Sequence, residues 1–195
     1  MATVKHMTEP ERYSDMFGGT PRQRVSKSTA LVLTDTWQTI QFVSGNSTYD
    51  VNTFPEPRWD FVNHKMIANP NTTMEQAYDL SFDYQVTNVK GASKVQLRFV
   101  IPAPTPIYVP FPDDGTTGYV DLAEINNQGV FKKHFQFPIY ASTNIRTYGL
   151  QIQIRAVSYV TSSNILTGIL TGLLTILTGS DRVTLNNCSL NIYSK

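Results

Sequence analysis

Three stretches of this chain place apolar and polar residues in strict alternation, and that period of two restricts its fold more than any other feature. Between Gly149 and Val160 the even positions Leu150, Ile152, Ile154 and Ala156 are apolar, with Gln151, Gln153 and Arg155 between them. Tyr78, Leu80, Phe82 and Tyr84 alternate with Asp79, Ser81, Asp83 and Gln85, and Val95, Leu97, Phe99 and Ile101 alternate around Gln96 and Arg98. Successive side chains of a strand point to opposite faces, so each stretch predicts a strand with one face on a core. A further strand is expected over residues 183–193, where a change of parity across Asn186-Asn187 predicts a bulge. Turn signals lie at Ser44-Gly45-Asn46-Ser47, Asn69-Pro70-Asn71 and Pro112-Asp113-Asp114-Gly115. Pro102, Pro104 and Pro106 interrupt the pattern, since each proline removes a ladder donor. No segment carries a helical stripe. About eight to ten short strands separated by turns predict an all-β fold, an antiparallel jelly-roll β-sandwich.

Charged residues make up 16% of the chain, below the usual fraction of about a quarter. Its polar surface must therefore come from Ser, Thr, Asn and Gln, which suits lateral contacts. A net charge of +1 gives no reason to expect a nucleic-acid partner, whose recognition normally shows as a basic patch. Cys188 is the single cysteine; no intrachain disulfide can form, and a buried, inert thiol is expected. Residues 1–12 carry Lys5, His6, Glu9, Glu11 and Arg12 where a secretory signal needs an apolar run, which points to synthesis in a cytoplasm.

Residues 1–28 differ from the rest, dividing the chain into an N-terminal arm (1–28) and a sandwich head (29–195). The arm holds Lys5, Arg12, Arg22, Arg24 and Lys27, a Gly18-Gly19 pair and two prolines, with little apolar periodicity. Alone it cannot bury enough surface to offset its ordering entropy and should be flexible. Two readings stay open: a disordered terminus, or an arm that orders on a partner through Tyr13, Met16 and Phe17 beside basic residues.

Residues 165–179 repeat Ile-Leu-Thr-Gly with variations, inside an uncharged run from Ala156 to Ser180. Fifteen residues of helix span about 22 Å, short of the roughly 30 Å of hydrocarbon in a bilayer, so no membrane span is expected. A soluble helix, with glycines on one face, and an extended hairpin both remain open. Either leaves Ile165, Leu166, Ile169, Leu170, Leu173 and Leu174 in need of cover, which predicts an oligomer interface.

Catalytic signatures are missing. His6, His64 and His134 have no recognised nucleophile pattern around them, no zinc spacing occurs, and Gly18-Gly19-Thr20-Pro21 lacks a phosphate-loop lysine. His134 reads as a solvent-facing strand residue. Neither a catalytic residue nor a metal or other cofactor is expected. The aromatic residues, Trp37, Trp59, Tyr78, Tyr84, Tyr108, Tyr119 and Tyr140 among them, exceed the needs of one small core. They serve core and subunit interface, or some form a carbohydrate-stacking platform.

Three stretches carry a resemblance to a known family. Thr36-Trp37-Gln38-Thr39-Ile40-Gln41-Phe42 resembles the opening strand of phage fibre and decoration domains. Phe137 to Ala141 with Arg146 to Arg155 is similar to a penultimate strand pair, and Leu185 to Tyr193 to a closing strand. Together they resemble the trimeric jelly rolls of tumour-necrosis-factor and complement-globular-head type, as used in bacteriophage virion proteins. The resemblance implies a homotrimer of the virion, made in the host cytoplasm. It implies a capsid cement or decoration protein whose arm, through Tyr13, Met16, Phe17, Arg22 and Arg24, grips the major capsid protein or another virion protein. The alternative is a head- or tail-fibre knob or carbohydrate-binding module, with a glycan as ligand. The proline-rich stretch 103–112 and residues 165–179 have no counterpart in that pattern.

Overall fold

Strands follow the alternation closely. The computed structural model describes residues 23–49, 59–68, 77–88, 93–109, 118–125, 129–158 and 183–194. In chain order these form β1 (Gln23–Lys27), β2 (Leu31–Leu33), β3 (Gln38–Thr39), β4 (Val43–Tyr49), β5 (Trp59–Asp60), β6 (Lys65–Met66) and β7 (Ala77–Asn88). There follow β8 (Ser93–Ile101), β9 (Ile107–Tyr108), β10 (Val120–Ile125), β11 (Gly129–Tyr140), α1 (Thr143–Tyr148), β12 (Gln151–Ser158) and β13 (Val183–Ser194).

Two antiparallel sheets face each other. The first runs β11–β7–β13–β1–β4, with β2 also on β13, and the second runs β10–β8–β12–β3, with β9 on β8, while β5 and β6 pair as a separate hairpin. The chain changes sheet between β2 and β3, β3 and β4, β7 and β8, β10 and β11, β11 and β12, and β12 and β13. This interleaving makes the sandwich a jelly roll.

Alternation puts the even positions of β7 and β12 and the odd positions of β8 in the space between the sheets. Tyr78, Leu80, Phe82, Tyr84 and Val86 there meet Val95, Leu97, Phe99, Leu150, Ile152 and Ile154, all buried. A single register row, Phe135–Phe82–Leu190–Val25, crosses four strands of the first sheet. Phe99 of β8 stacks on Phe137 of β11 at 5.0 Å, joining one sheet to the other.

The expected bulge is present. The register of β13 against β7 shifts between Leu185 and Asn187. Val183 and Leu185 before it, and Cys188, Leu190 and Ile192 after it, are therefore all buried. Asn186 Nδ2 donates to Thr87 Oγ1 at 2.7 Å, which fixes the extra residue.

Four expectations need correction. The division at residue 28 falls too late, because Gln23–Lys27 is a strand paired on both sides, with β13 and β4, and Gln23 and Val25 are buried. Only one of its five residues is strongly apolar; sheet position, rather than local hydrophobicity, makes it a strand. Ser44 to Ser47 lies within β4, whose backbone pairs with β1. The continuous strand expected over 36–42 shrinks to Gln38–Thr39. There the Gln38 side chain accepts from Thr34 N at 3.0 Å and donates to the Val32 carbonyl at 3.1 Å, closing the corner where the chain leaves the first sheet. Finally, residues 143–148 form a helix capped by Ser142, whose Oγ accepts from Ile145 N. The rest of the arm and the 165–179 segment lie outside the described residues.

Candidate functional site

Each sheet has an outer face with its own chemistry. On the first, β11, β7, β13 and β1 align His134, Asp83, Ser189 and Ser26 in one row. They border a cleft of about 720 Å³ together with Arg24 and Lys132. His134 Nδ1 and Asp83 Oδ1 are 2.7 Å apart, both side chains about half exposed. Serine, histidine and aspartate are all present, yet their order differs from that of a nucleophilic triad. Ser189 stands opposite Asp83, and the aspartate separates it from the imidazole that would have to take its proton. Cys188 borders the same cleft. Burial pushes its thiol up to about 12, against a smaller opposing pull from Lys27, so it is not a nucleophile near neutral pH. Burial also raises the hydroxyl of Tyr84, which donates to the Leu122 carbonyl at 3.2 Å.

The second outer face is more organised. Alternation sends Arg98 of β8 and Arg155 of β12 outward, and the register Arg98–Gln153 and Gln96–Arg155 makes them diagonal neighbours. Each guanidinium is held at Nε: Arg98 donates to Gln153 Oε1 at 2.7 Å and Arg155 to Gln96 Oε1 at 2.8 Å. The glutamines are fixed in turn. Gln153 Nε2 donates to Thr39 Oγ1 at 3.3 Å, and Gln96 Nε2 to Asp121 Oδ1 at 2.7 Å. Asp121 also receives Lys94 Nζ at 3.3 Å.

Aromatic rings flank this polar lattice. The Trp37 ring centroid lies 4.4 Å from the Arg98 guanidinium carbon and 4.3 Å from that of Arg155. Arg98 also lies over Tyr108 at 4.6 Å, and Arg155 over Tyr119 at 5.4 Å. These rings come from the ends of β3, β9 and β10 and meet only because those ends converge on the β8–β12 platform. Burial holds the Arg98 guanidinium below its ordinary value; Tyr108 opposes that shift and Arg155 adds to it.

The structure sorts the sequence candidates. Among the arm residues, Arg24 sits in β1 opposite Asn191 and Thr48 and borders the cleft of the first sheet. Tyr13, Met16, Phe17 and Arg22 lie outside the described residues, as do Ile165, Leu166, Ile169, Leu170, Leu173 and Leu174. Trp59, Tyr78 and Tyr84 belong to the core, whereas Trp37, Tyr108 and Tyr119 gather on the second outer face. Arg98 and Arg155 were missed as site residues, although alternation had already turned both outward. Their convergence needed the β8–β12 register, which no local pattern encodes. Among the described residues no cluster of His, Cys, Asp or Glu could hold a metal ion, and no helix is long and apolar enough to cross a membrane.

No family model matches the chain, and no curated protein matches it. Solved structures do. The globular domain of zebrafish complement 1qA protein aligns with 89% of this chain and 95% of its own, at 10% identity and a TM-score of 0.44. A chain of the T13 IBDV viral particle aligns over 89% of this chain and 31% of its own, at 13% identity and a TM-score of 0.30. The jelly-roll assignment rests on the strand order itself.

Proposed function

We propose that this chain is a non-enzymatic structural protein of a virion, a jelly-roll head that associates as a homotrimer. The finer reading is a capsid cement or decoration protein. Its residues before β1 grip the major capsid protein, and the head closes a lattice symmetry axis. The observation that carries the reading is the edge strand β11. It presents Val130 and Tyr140, one near each end, at 58% and 68% exposure, two apolar points against which another subunit can rest. Between them lie Lys132, Lys133 and Pro138, which guard the edge against pairing with another strand. Contact at this edge runs through side chains rather than continued sheet pairing, and a threefold rotation closes it as a trimer.

Two measurements test this. Light scattering should give three times the 21.9 kDa chain mass, and a monomer at micromolar concentration overturns the trimer. A chain starting at Gln23, which keeps β1 intact, should remain trimeric but lose sedimentation with capsids. Undiminished capsid occupancy would place attachment on the head instead. Asp at Leu170 and Leu174 should disperse the trimer if residues 165–179 join the subunits. The alternative, a fibre knob or glycan-binding module, is favoured by the arginine and aromatic cluster of the second sheet.

A further inference from the structure

The second outer face brings two cations, Arg98 and Arg155, to one tryptophan ring. Among the described residues neither Arg98 nor Arg155 forms an ion pair with a carboxylate. The nearest acid of their network, Asp121, reaches Arg155 only through Gln96 and is itself engaged by Lys94. Like charges brought to one tryptophan ring repel each other, and the ring faces offset that only in part. A guanidinium has five N–H donors in a planar fork, and the Gln bonds use the Nε of each. Arg98 has a further hydrogen bond with Tyr108, while Nε is the one donor of Arg155 engaged by the glutamines, so the pair keeps N–H donors suited to a planar oxyanion.

We propose that this face binds a glycan bearing a carboxylate, with the carboxylate between Arg98 and Arg155 and a sugar ring against Tyr108. Charge complementarity limits the occupant. Asp121, with its side chain 38% exposed, stands beside the arginines and would repel a ligand carrying carboxylates in series, as an acidic peptide does. A sugar carries one such group and otherwise neutral hydroxyls, which match the amides of Gln153 and Gln151 and the hydroxyl of Thr39 on the same face. Tyr108 is 49% exposed at the rim and gives an apolar surface for the sugar's C–H side. Locked rotamers throughout the lattice mean that little side-chain freedom is lost on binding. The site stands apart from the trimer reading and is available to a capsid-bound or a fibre-borne head alike.

The chain has two tryptophans. Trp59 is buried at 1% exposure, so ligand-dependent emission reports Trp37. The full-length protein is titrated with a trisaccharide bearing one sialic acid, a disaccharide bearing one glucuronate, neutral lactose and a glutamate hexapeptide, with calorimetry as a second readout. Saturable binding of at least one acidic sugar and none of lactose is expected. Arg155→Gln should weaken it by about tenfold or more, as loss of hydrogen bonds from a charged donor does. Tyr108→Ala, on the short β9 hairpin, should also weaken it, and it keeps the test decisive if Arg155→Gln does not fold. Lactose binding as well as the acidic sugars, or failure of both acidic sugars, overturns the proposal. Hexapeptide binding at least as tight as theirs overturns it in favour of a protein partner. Subunit mass is unaffected by either variant, so failure here is distinct from failure of the trimer.

Discussion

Replacing Gly149 with alanine tests how the β5–β6 hairpin is tied to the sandwich. Gly149 closes α1 with φ 80° and ψ −173°, a region open to glycine and strained for any L side chain, and its N–H donates to the Ile145 carbonyl. A Cβ at this position would lie 2.7 Å from the Met66 carbonyl oxygen and 2.9 Å from Lys65 Cδ. The lysine stem can move, but the carbonyl cannot move freely. It accepts from Leu150 N at 2.9 Å, while Met66 N donates to the Leu150 carbonyl at 2.7 Å. Relief of the clash therefore opens this bridge and loosens the hairpin, whose Trp59 and Met66 are both 1% exposed. Backbone strain of this kind costs about 1–3 kcal/mol, and two weakened hydrogen bonds add about 1 kcal/mol each. A loss of roughly 3–5 kcal/mol should lower the melting temperature of a domain this size by about 6–20 °C. Thermal melts followed by circular dichroism measure it. Gly118→Ala is the comparison: its φ of 64° lies in the left-handed region, and its new Cβ would meet only the Tyr108 side chain, at 3.1 Å. A Gly149→Ala melt no lower than that of Gly118→Ala would refute the reasoning.

Three further outcomes follow from the same packing. Leu190→Ala, at 0% exposure between Val25 and Phe82, should destabilise by about 2–5 kcal/mol in urea unfolding; a change below about 1 kcal/mol would mean the row is loosely packed. Cys188 should resist alkylation at pH 8 until the chain unfolds. Because its folded thiol is raised from 9.0 to about 12, stability is complete below pH 9 and falls as pH rises toward 12; rapid native-state labelling contradicts this. Asp60 should titrate below its ordinary 3.8, since the Asn63 side chain and the N–H groups of Asn63 and Val62 donate to it. Its contribution is present above pH 3.8 and lost as pH falls through the folded value, so an NMR titration midpoint at or above 3.8 counts against it.

What could be read from the sequence depended on how many alternations a strand contains. β7, β8 and β12 each repeat the pattern several times, so their inward and outward residues were assigned correctly, and Asn186-Asn187 betrayed the bulge by a change of parity. β1 has a single Val25, and β4 is written in Ser, Gly and Asn; both are strands because neighbouring backbones complete their hydrogen bonds. α1 is too short for a stripe, and its only local signals are Ser142 before it and Gly149 after it. The candidate sites were harder still. His134 was placed outward, but its pairing with Asp83 depends on the β11–β7 register. The arginine pair depends on the β8–β12 register, and the approach of Trp37 depends on the corner closed by Gln38.

The pairing of β1 with β13 also governs how the chain can fold. Val25 has to find Leu190, so the first and last described strands meet only after most of the intervening chain has been gathered in. β13 also lies between β7 and β1 in the middle of its sheet. Until it docks, the Leu80 and Phe82 row lacks its neighbour and both flanking strands carry open edges. Contacts so distant in sequence impose a large loop-closure entropy before any stabilisation is gained, which places refolding on the slow, millisecond-to-second side of single-domain behaviour. During that interval the half-built sheet is the species most prone to aggregate.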